Sequence, residues 1–179
     1  MENAAALQSR IPLRRFALRT LACGLTMVAL DLLLNAGVFA RLWFEPGPFL
    51  LSPEDLFRRL PLGYIAFFLQ AAAYVWLTML SGARTRKEGG LFGLKLGALL
   101  NAASVLGLRS ATTASWPLLV AGWFVGGTVV TAGACFMAGW ASEKGERRAI
   151  LGALGLLVGA VIVVAVLQSI GLIPTKRMN

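Results

Sequence analysis

Asp31 is the residue whose type and position are best suited to chemistry, because it is an acidic side chain inside a long apolar stretch. A charged, unpaired carboxylate near the centre of a bilayer costs about 2.5–3.5 kcal/mol on insertion scales. Asp31 must therefore be protonated, paired, or turned toward a wet cavity. Asn35 follows four residues later, so the two side chains are expected to share one helical face.

Five other polar residues fall near the depth of Asp31 when the helices are laid out at about 1.5 Å per residue. They are Asn35, Gln70, Asn101, Thr128 and Thr131. In one interpretation, the six side chains line a midplane site for a small ligand, a proton or an ion, as in transporters. In the other, they hydrogen-bond to one another between helices. We favour the second for the neutral residues and leave both open for Asp31.

The composition leaves little for other chemistry. The chain has no histidine, the commonest general base and metal ligand. Its two cysteines and eight acids show no zinc or iron–sulfur spacing, and no nucleotide-binding or hydrolase motif is present. We therefore predict no metal or cofactor and favour a non-enzymatic protein. An intramembrane enzyme that uses Asp31 stays open as a third interpretation, and so does a bound lipid or other apolar ligand.

Five apolar stretches are long enough to carry these residues across a membrane. The 179 residues are 58% hydrophobic and only 14% charged, whereas a soluble domain is about 45–50% apolar and about 25% charged. None of the stretches alternates with the period of two that a barrel strand needs. We predict an all-α, single-domain bundle of five transmembrane helices over 1–179. The predicted spans are 16–40, 62–81, 90–108, 116–140 and 149–173.

The basic residues predict the orientation of the bundle. With the N-terminus in the cytoplasm, eleven Lys and Arg residues fall inside and six fall outside, as the positive-inside rule requires. The net charge of +9 then indicates a membrane surface as partner and not nucleic acid. We expect a bacterial inner-membrane protein with its C-terminus outside. The N-terminal run is longer than a signal peptide core, so we expect a retained helix.

The longest connection, 41–61, is predicted to contain a short amphipathic helix on the outer membrane surface. Ser52 is a suitable N-cap, Pro53 suits the first turn, and Glu54 and Asp55 favour the positive end of a helix dipole. A lid or a partner-docking element is the alternative interpretation of this segment.

Glycines at four-residue spacing are the second strong pattern. Such spacing lets helix backbones approach closely in lipid. The residues are Gly89, Gly93 and Gly97, then Gly122 and Gly126, then Gly155 and Gly159. Either all of them pack within the chain, or one glycine face is left for a partner.

These patterns favour an accessory subunit or a self-associating scaffold that packs through glycine-rich helix faces. Its expected partners are membrane lipids and other membrane subunits or further copies of itself. The alternative function is a small transporter or channel-like protein with its midplane site around Asp31. Five spans leave little material for alternating access within one chain, so that function would need an oligomer.

The segment LDLLLNAGVFARLW, a basic loop and the segment GLFGLKLGALLNAASVLGL together resemble some small bacterial multi-pass membrane proteins of unknown function. The resemblance rests on Asp31 in the first helix and on the glycine-rich third helix, and it spans about residues 20–140. It implies no activity, substrate or cofactor.

Overall fold

The computed structural model describes residues 12–44, 51 and 53–173, and every regular element in these ranges is helical. Two of the elements are π-helical, with backbone hydrogen bonds that span five residues. The elements in chain order are α1 (Leu13–Asp31), π1 (Leu32–Val38), α2 (Ala40–Phe44), α3 (Pro53–Leu80), α4 (Arg86–Ala111), π2 (Leu118–Gly126), α5 (Gly127–Lys144) and α6 (Glu146–Ser169).

Five helical stretches in the described residues are long and apolar enough to cross a membrane. This finding confirms the all-α fold and the expected number of candidate spans. The stretches are Leu13–Val38, Arg58–Leu80, Arg86–Ala111, Leu118–Lys144 and Glu146–Ser169.

The separate interfacial helix expected within 41–61 is not confirmed. Its expected N-cap, Ser52, lies outside the described residues, and the helix that starts at Pro53 continues through Pro61 to Leu80. Proline removes one helical hydrogen bond and tends to bend a helix. Here the apolar residues after Pro61 continue the helix, so one long element replaces the expected short helix and separate span.

α5 lies at the centre of the bundle. It packs against α1, α3, α4 and α6, most extensively against α4. Small side chains permit this enclosure, since Ala134, Ala138 and Ala141 are buried. Buried alanines of α1, α3 and α6 join them in one hydrophobic core. The central helix is therefore narrow, and its neighbours approach it closely.

The outer faces of α3, α4 and α6 are strongly apolar. Leu69 of α3 is 69% exposed, Leu99 of α4 is 71% exposed and Ile162 of α6 is 57% exposed. Apolar surface in water costs about 25 cal/mol per Å², a penalty that hydrocarbon removes. These faces are therefore suited to contact with lipid.

One end of the bundle is held by polar contacts around the α5–α6 connection. Gly145 is the residue between these helices and has a φ of +90°, a conformation that disfavours any side chain. Arg19 of α1 forms an ion pair with Glu146 of α6 at 3.1 Å and donates from Nη1 to the Ser142 hydroxyl at 3.0 Å. The first and last of the five candidate spans are therefore joined directly.

Candidate functional site

Asp31 lies at the junction of α1 and π1 and begins a chain of side-chain hydrogen bonds. Its Oδ1 accepts a hydrogen bond from Asn35 Nδ2 at 2.6 Å. Asn35 Oδ1 in turn accepts from the indole Nε1 of Trp43 at 3.0 Å. One amide group thus connects the Asp31 carboxylate to the Trp43 ring. All three side chains are half-buried.

The local backbone changes its geometry where this chain of hydrogen bonds lies. The amide of Phe39 donates to the carbonyl of Leu34 at 2.7 Å, five residues earlier, which is the π-helical pattern. Such wide turns occur frequently at functional sites. π1 separates Asp31 from α2, and α2 holds the Trp43 side chain that donates to Asn35.

Trp43 packs against a second tryptophan from the other π-helical segment. The ring centroids of Trp43 and Trp123 lie 5.0 Å apart, with an interplanar angle of 49°. Gly122 makes room for this pair, because a Cβ at that position would lie 3.1 Å from a ring carbon of Trp43. Asp31, Asn35, Trp43 and Trp123 form the cluster that we call the Asp31 site.

The Asp31 face of α1 points toward α3. Gly24, seven residues before Asp31 and thus on the same helical face, lies directly against the Phe68 ring of α3. Beyond that contact, residues 60–66 of α3 are exposed, and no extensive packing joins α3 to π1 or π2 in the part of the chain that the structure describes. The carboxylate is therefore not enclosed from this side by the described part of α3.

The other polar residues expected at this depth form separate groups. The Thr131 hydroxyl donates to the carbonyl of Gly127 at 2.9 Å and lies 3.3 Å from the Tyr74 hydroxyl, which joins α5 to α3. Asn101 donates to the carbonyl of Gly97 at 2.8 Å within α4, and its amide lies over Gly127 of α5.

Gln70 and Thr128 complete the expected set. Gln70 is exposed on α3. Thr128 is buried against Gly97, and its hydroxyl has no hydrogen-bond partner among the described residues. Of the six residues expected at this depth, the structure joins Asp31 with Asn35. Within the described part of the chain, no hydrogen bond connects this pair to the other four members of the set. No set of three His, Cys, Asp or Glu side chains suited to a metal ion occurs in the described ranges.

Sequence reasoning missed both tryptophans of the Asp31 site. Trp43 lies near the end of a predicted span, where an indole is expected to anchor the helix at the membrane interface. Its spacing from Asn35 is the one signal that favours a contact, whereas Trp123 lies 80 positions further along and carries no local signal.

The helix α5 packs directly against the α4 glycines of the four-residue pattern, Gly89, Gly93 and Gly97. A Cβ on Gly93 would lie 2.6 Å from Cys135 Cβ and 2.9 Å from Ala132 Cα, and a Cβ on Gly97 would lie 3.0 Å from Thr131 Cβ. Gly89 likewise lies directly against the Cys135 carbonyl. The α4 stripe is therefore an internal interface.

The remaining glycine pairs differ from one another. Gly122 and Gly126 lie beside the rings of Trp43 and Phe39 within the chain. A Cβ added to Gly155 or Gly159 of α6 would meet no other atom of the described residues within 4 Å. One glycine face of the protein is thus open in the described part of the chain.

Comparison of the chain with profiles of known protein families, with curated proteins and with solved structures finds no match in any of the three.

Proposed function

We propose that this protein is a non-enzymatic integral membrane scaffold that self-associates through the open glycine face of α6. The observation that carries the proposal is the contrast between the helices. The α4 glycines are occupied by α5, whereas Gly155 and Gly159 have open space in front of them. Small residues at this spacing allow close helix contact in lipid.

The rest of the α6 face suits a second copy of the same chain. Leu151, Val158 and Ile162 are exposed around the two glycines, and residues 149–169 of α6 include no charged side chain. The buried stripe of α6, which includes Ala153 and Ala160, packs on the other side against the bundle. An uncharged face of bulky and small residues can pack against its own copy across a two-fold axis.

The proposed setting is a bacterial inner membrane with the N-terminus in the cytoplasm. Support comes from the distribution of Lys and Arg in the sequence, which favours a cytoplasmic location for the Arg19–Glu146 end of the bundle. In this orientation the part of α3 before Arg58 lies at the outer surface. Reporter fusions at both termini test it, and a cytoplasmic C-terminus would contradict it.

Native mass spectrometry in mild detergent tests the scaffold function. We expect the wild-type chain to form a homo-oligomer and the Gly155→Leu, Gly159→Leu double variant to be monomeric. Gly107→Leu is the matched control, because Gly107 is also exposed with nothing within 4 Å. A stoichiometric complex with a different protein would identify an accessory subunit instead. A wild-type monomer without partners would refute both the self-associating scaffold and the accessory subunit.

A second candidate function is a small transporter or channel-like activity at the Asp31 site. The hydrogen-bonded chain from Trp43 through Asn35 to Asp31 favours it, because intramembrane acids often mark ion or substrate pathways. The test is cation or proton flux into proteoliposomes. Asp31→Asn is expected to abolish a flux that the wild-type protein supports, and equal flux in both would eliminate this function.

A further inference from the structure

Arg148 lies on the open glycine face of α6, near the start of that helix. It precedes Gly155 by seven positions and Gly159 by eleven. At about 100° per residue, both glycines lie within about 20° of the direction of Arg148 around the helix. Arg147 is also exposed, but it lies about 100° away. The face through which two copies are proposed to pack therefore includes one cation.

The Arg148 side chain has no ion-pair or hydrogen-bond partner among the described residues. The three described acids at this end of the bundle are engaged elsewhere. Glu146 pairs with Arg19, and Glu143 lies within ion-pair distance of two other basic side chains. Glu88 accepts hydrogen bonds from two backbone amides. The described part of the chain thus provides no counterion for Arg148.

The depth of Arg148 in the membrane follows from the uncharged stretch of helix after it. Residues 149–169 carry no charge and extend about 32 Å at 1.5 Å per residue, close to the hydrocarbon thickness of about 30 Å. Arg148 is therefore expected at one boundary of the hydrocarbon, next to the phosphate groups of the lipids. A guanidinium group binds phosphate through two parallel, charge-assisted hydrogen bonds.

Two copies that pack through the α6 face bring their Arg148 side chains together. Copies inserted in the same direction hold equivalent residues at equal depth, and a two-fold contact places each residue near its own copy. Glycine-mediated helix pairs cross at about 40°, so helices in contact at Gly155 have axes roughly 10 Å apart at Arg148. The two guanidinium groups repel each other at this distance. An anion between them would remove the repulsion.

We propose that the two Arg148 side chains of a dimer bind the phosphate of an anionic phospholipid, and that this lipid strengthens self-association. Charge complementarity selects the class of lipid: phosphatidylglycerol has a net negative headgroup, whereas the phosphate of phosphatidylcholine is balanced by its own cation. The inference rests on the proposed scaffold function, because each copy contributes one of the two arginines. It names a ligand and a regulator of that same interface.

The experiment measures dimerisation of the full-length chain in lipid vesicles, by energy transfer between copies that carry a donor or an acceptor dye at the C-terminus. One set of vesicles is phosphatidylcholine. In the other set, half of that lipid is replaced by phosphatidylglycerol with the same acyl chains. Two unit charges about 10 Å apart, at effective dielectric constants of about 20–80, change an equilibrium by about twofold to fifteenfold. We expect the wild-type dimer to be tighter by this factor in phosphatidylglycerol.

The two proposals fail in different ways in this assay. Equal dimerisation in both sets of vesicles would overturn the lipid site and leave the scaffold intact. Absence of specific energy transfer in both sets would refute the scaffold, and the lipid site with it.

Variants then locate the lipid. Arg148→Gln removes both the repulsion and the phosphate ligand, so it is expected to dimerise equally in the two sets, and more tightly than the wild type in phosphatidylcholine. Arg147→Gln is the matched control, because it removes the same charge from a neighbouring direction of the helix, and it is expected to keep the lipid dependence. Loss of that dependence to the same extent in both variants, or in neither, would overturn the assignment to Arg148.

Inorganic phosphate is another source of the same anion, and a further measurement distinguishes it. Added to phosphatidylcholine vesicles, and compared with sodium chloride at equal ionic strength, it is expected to leave wild-type dimerisation unchanged, because it lacks the acyl chains that hold a headgroup at the hydrocarbon boundary. Strengthening equal to that by phosphatidylglycerol would overturn the lipid in favour of a free anion.

Discussion

Substitution of Gly93 by alanine tests a close contact between α4 and α5. The new Cβ would lie 2.6 Å from Cys135 Cβ and 2.9 Å from both Ala132 Cα and Thr131 O. Carbon atoms pack best at about 3.5–4.0 Å, so the methyl group is roughly 1 Å too close. Two of the three atoms belong to the α5 backbone and cannot rotate away. α4 and α5 must therefore separate.

The expected cost follows from two opposing effects. Overpacking of this kind destabilises a protein by about 1–3 kcal/mol. Alanine recovers about 0.5–1 kcal/mol relative to glycine within a helix. The net loss relative to the wild type is about 0–2.5 kcal/mol of unfolding free energy. Gly107→Ala on the same helix is the control, because nothing lies within 4 Å of its Cβ position. This variant has the same favourable change from glycine to alanine within a helix but no overpacking.

Thermal unfolding in one mild detergent, followed by tryptophan fluorescence, measures the difference. A domain of this size changes its midpoint by about 2–4 °C per kcal/mol. The two variants share the alanine gain and differ by the overpacking cost of about 1–3 kcal/mol, so Gly93→Ala is expected to unfold roughly 2–12 °C below Gly107→Ala. Equal midpoints, or a higher midpoint for Gly93→Ala, would show that the α4–α5 contact does not depend on the missing side chain.

Three further substitutions test individual contacts. Glu146→Gln leaves the half-buried Arg19 without its ion-pair partner and is expected to lower the free energy of unfolding by about 1–3 kcal/mol. A decrease below about 0.5 kcal/mol would show that this ion pair does not stabilise the fold. Thr85→Ala removes the α4 capping box and is expected to cost about 1 kcal/mol in the same assay, and full stability would show that the cap is unimportant. Trp43→Phe keeps an aromatic ring but loses the indole hydrogen bond to Asn35. It is expected to cost about 1 kcal/mol and to change the fluorescence of the tryptophan pair, and an unchanged spectrum would contradict the stacking geometry.

Hydropathy predicts the five candidate spans because the signal is local to each stretch. The third span is expected over 90–108 and extends to Arg86–Ala111, since Thr85 and Glu88 start the helix before the apolar run begins. The second is expected over 62–81, and the helix instead begins at Pro53. Proline inside a helix is unfavourable but not prohibitive, so Pro61 is a poor boundary.

Contacts between helices are less accessible to sequence reasoning. Asp31 and Asn35 are brought together by the period of one helix, which spacing alone predicts. The contact between Trp43 and Trp123 depends on how two distant segments pack. Glycine spacing indicates that a helix can be approached closely, yet it does not say by what. Glycines with the same four-residue spacing face different surroundings: α5 packs directly against Gly93, whereas the space in front of Gly155 is open among the described residues.

The contact between the first and last candidate spans also has a consequence for biosynthesis. Arg19 and Glu146 are separated by 127 positions, and ribosomes add about 5–20 residues per second. The first helix must therefore remain in the membrane for roughly 6–25 s before the partner of Arg19 has been synthesised. During that interval Arg19 lacks the Glu146 carboxylate and the Ser142 hydroxyl that it contacts in the complete bundle. The Arg19–Glu146 contact can therefore form only after the start of α6 has been synthesised.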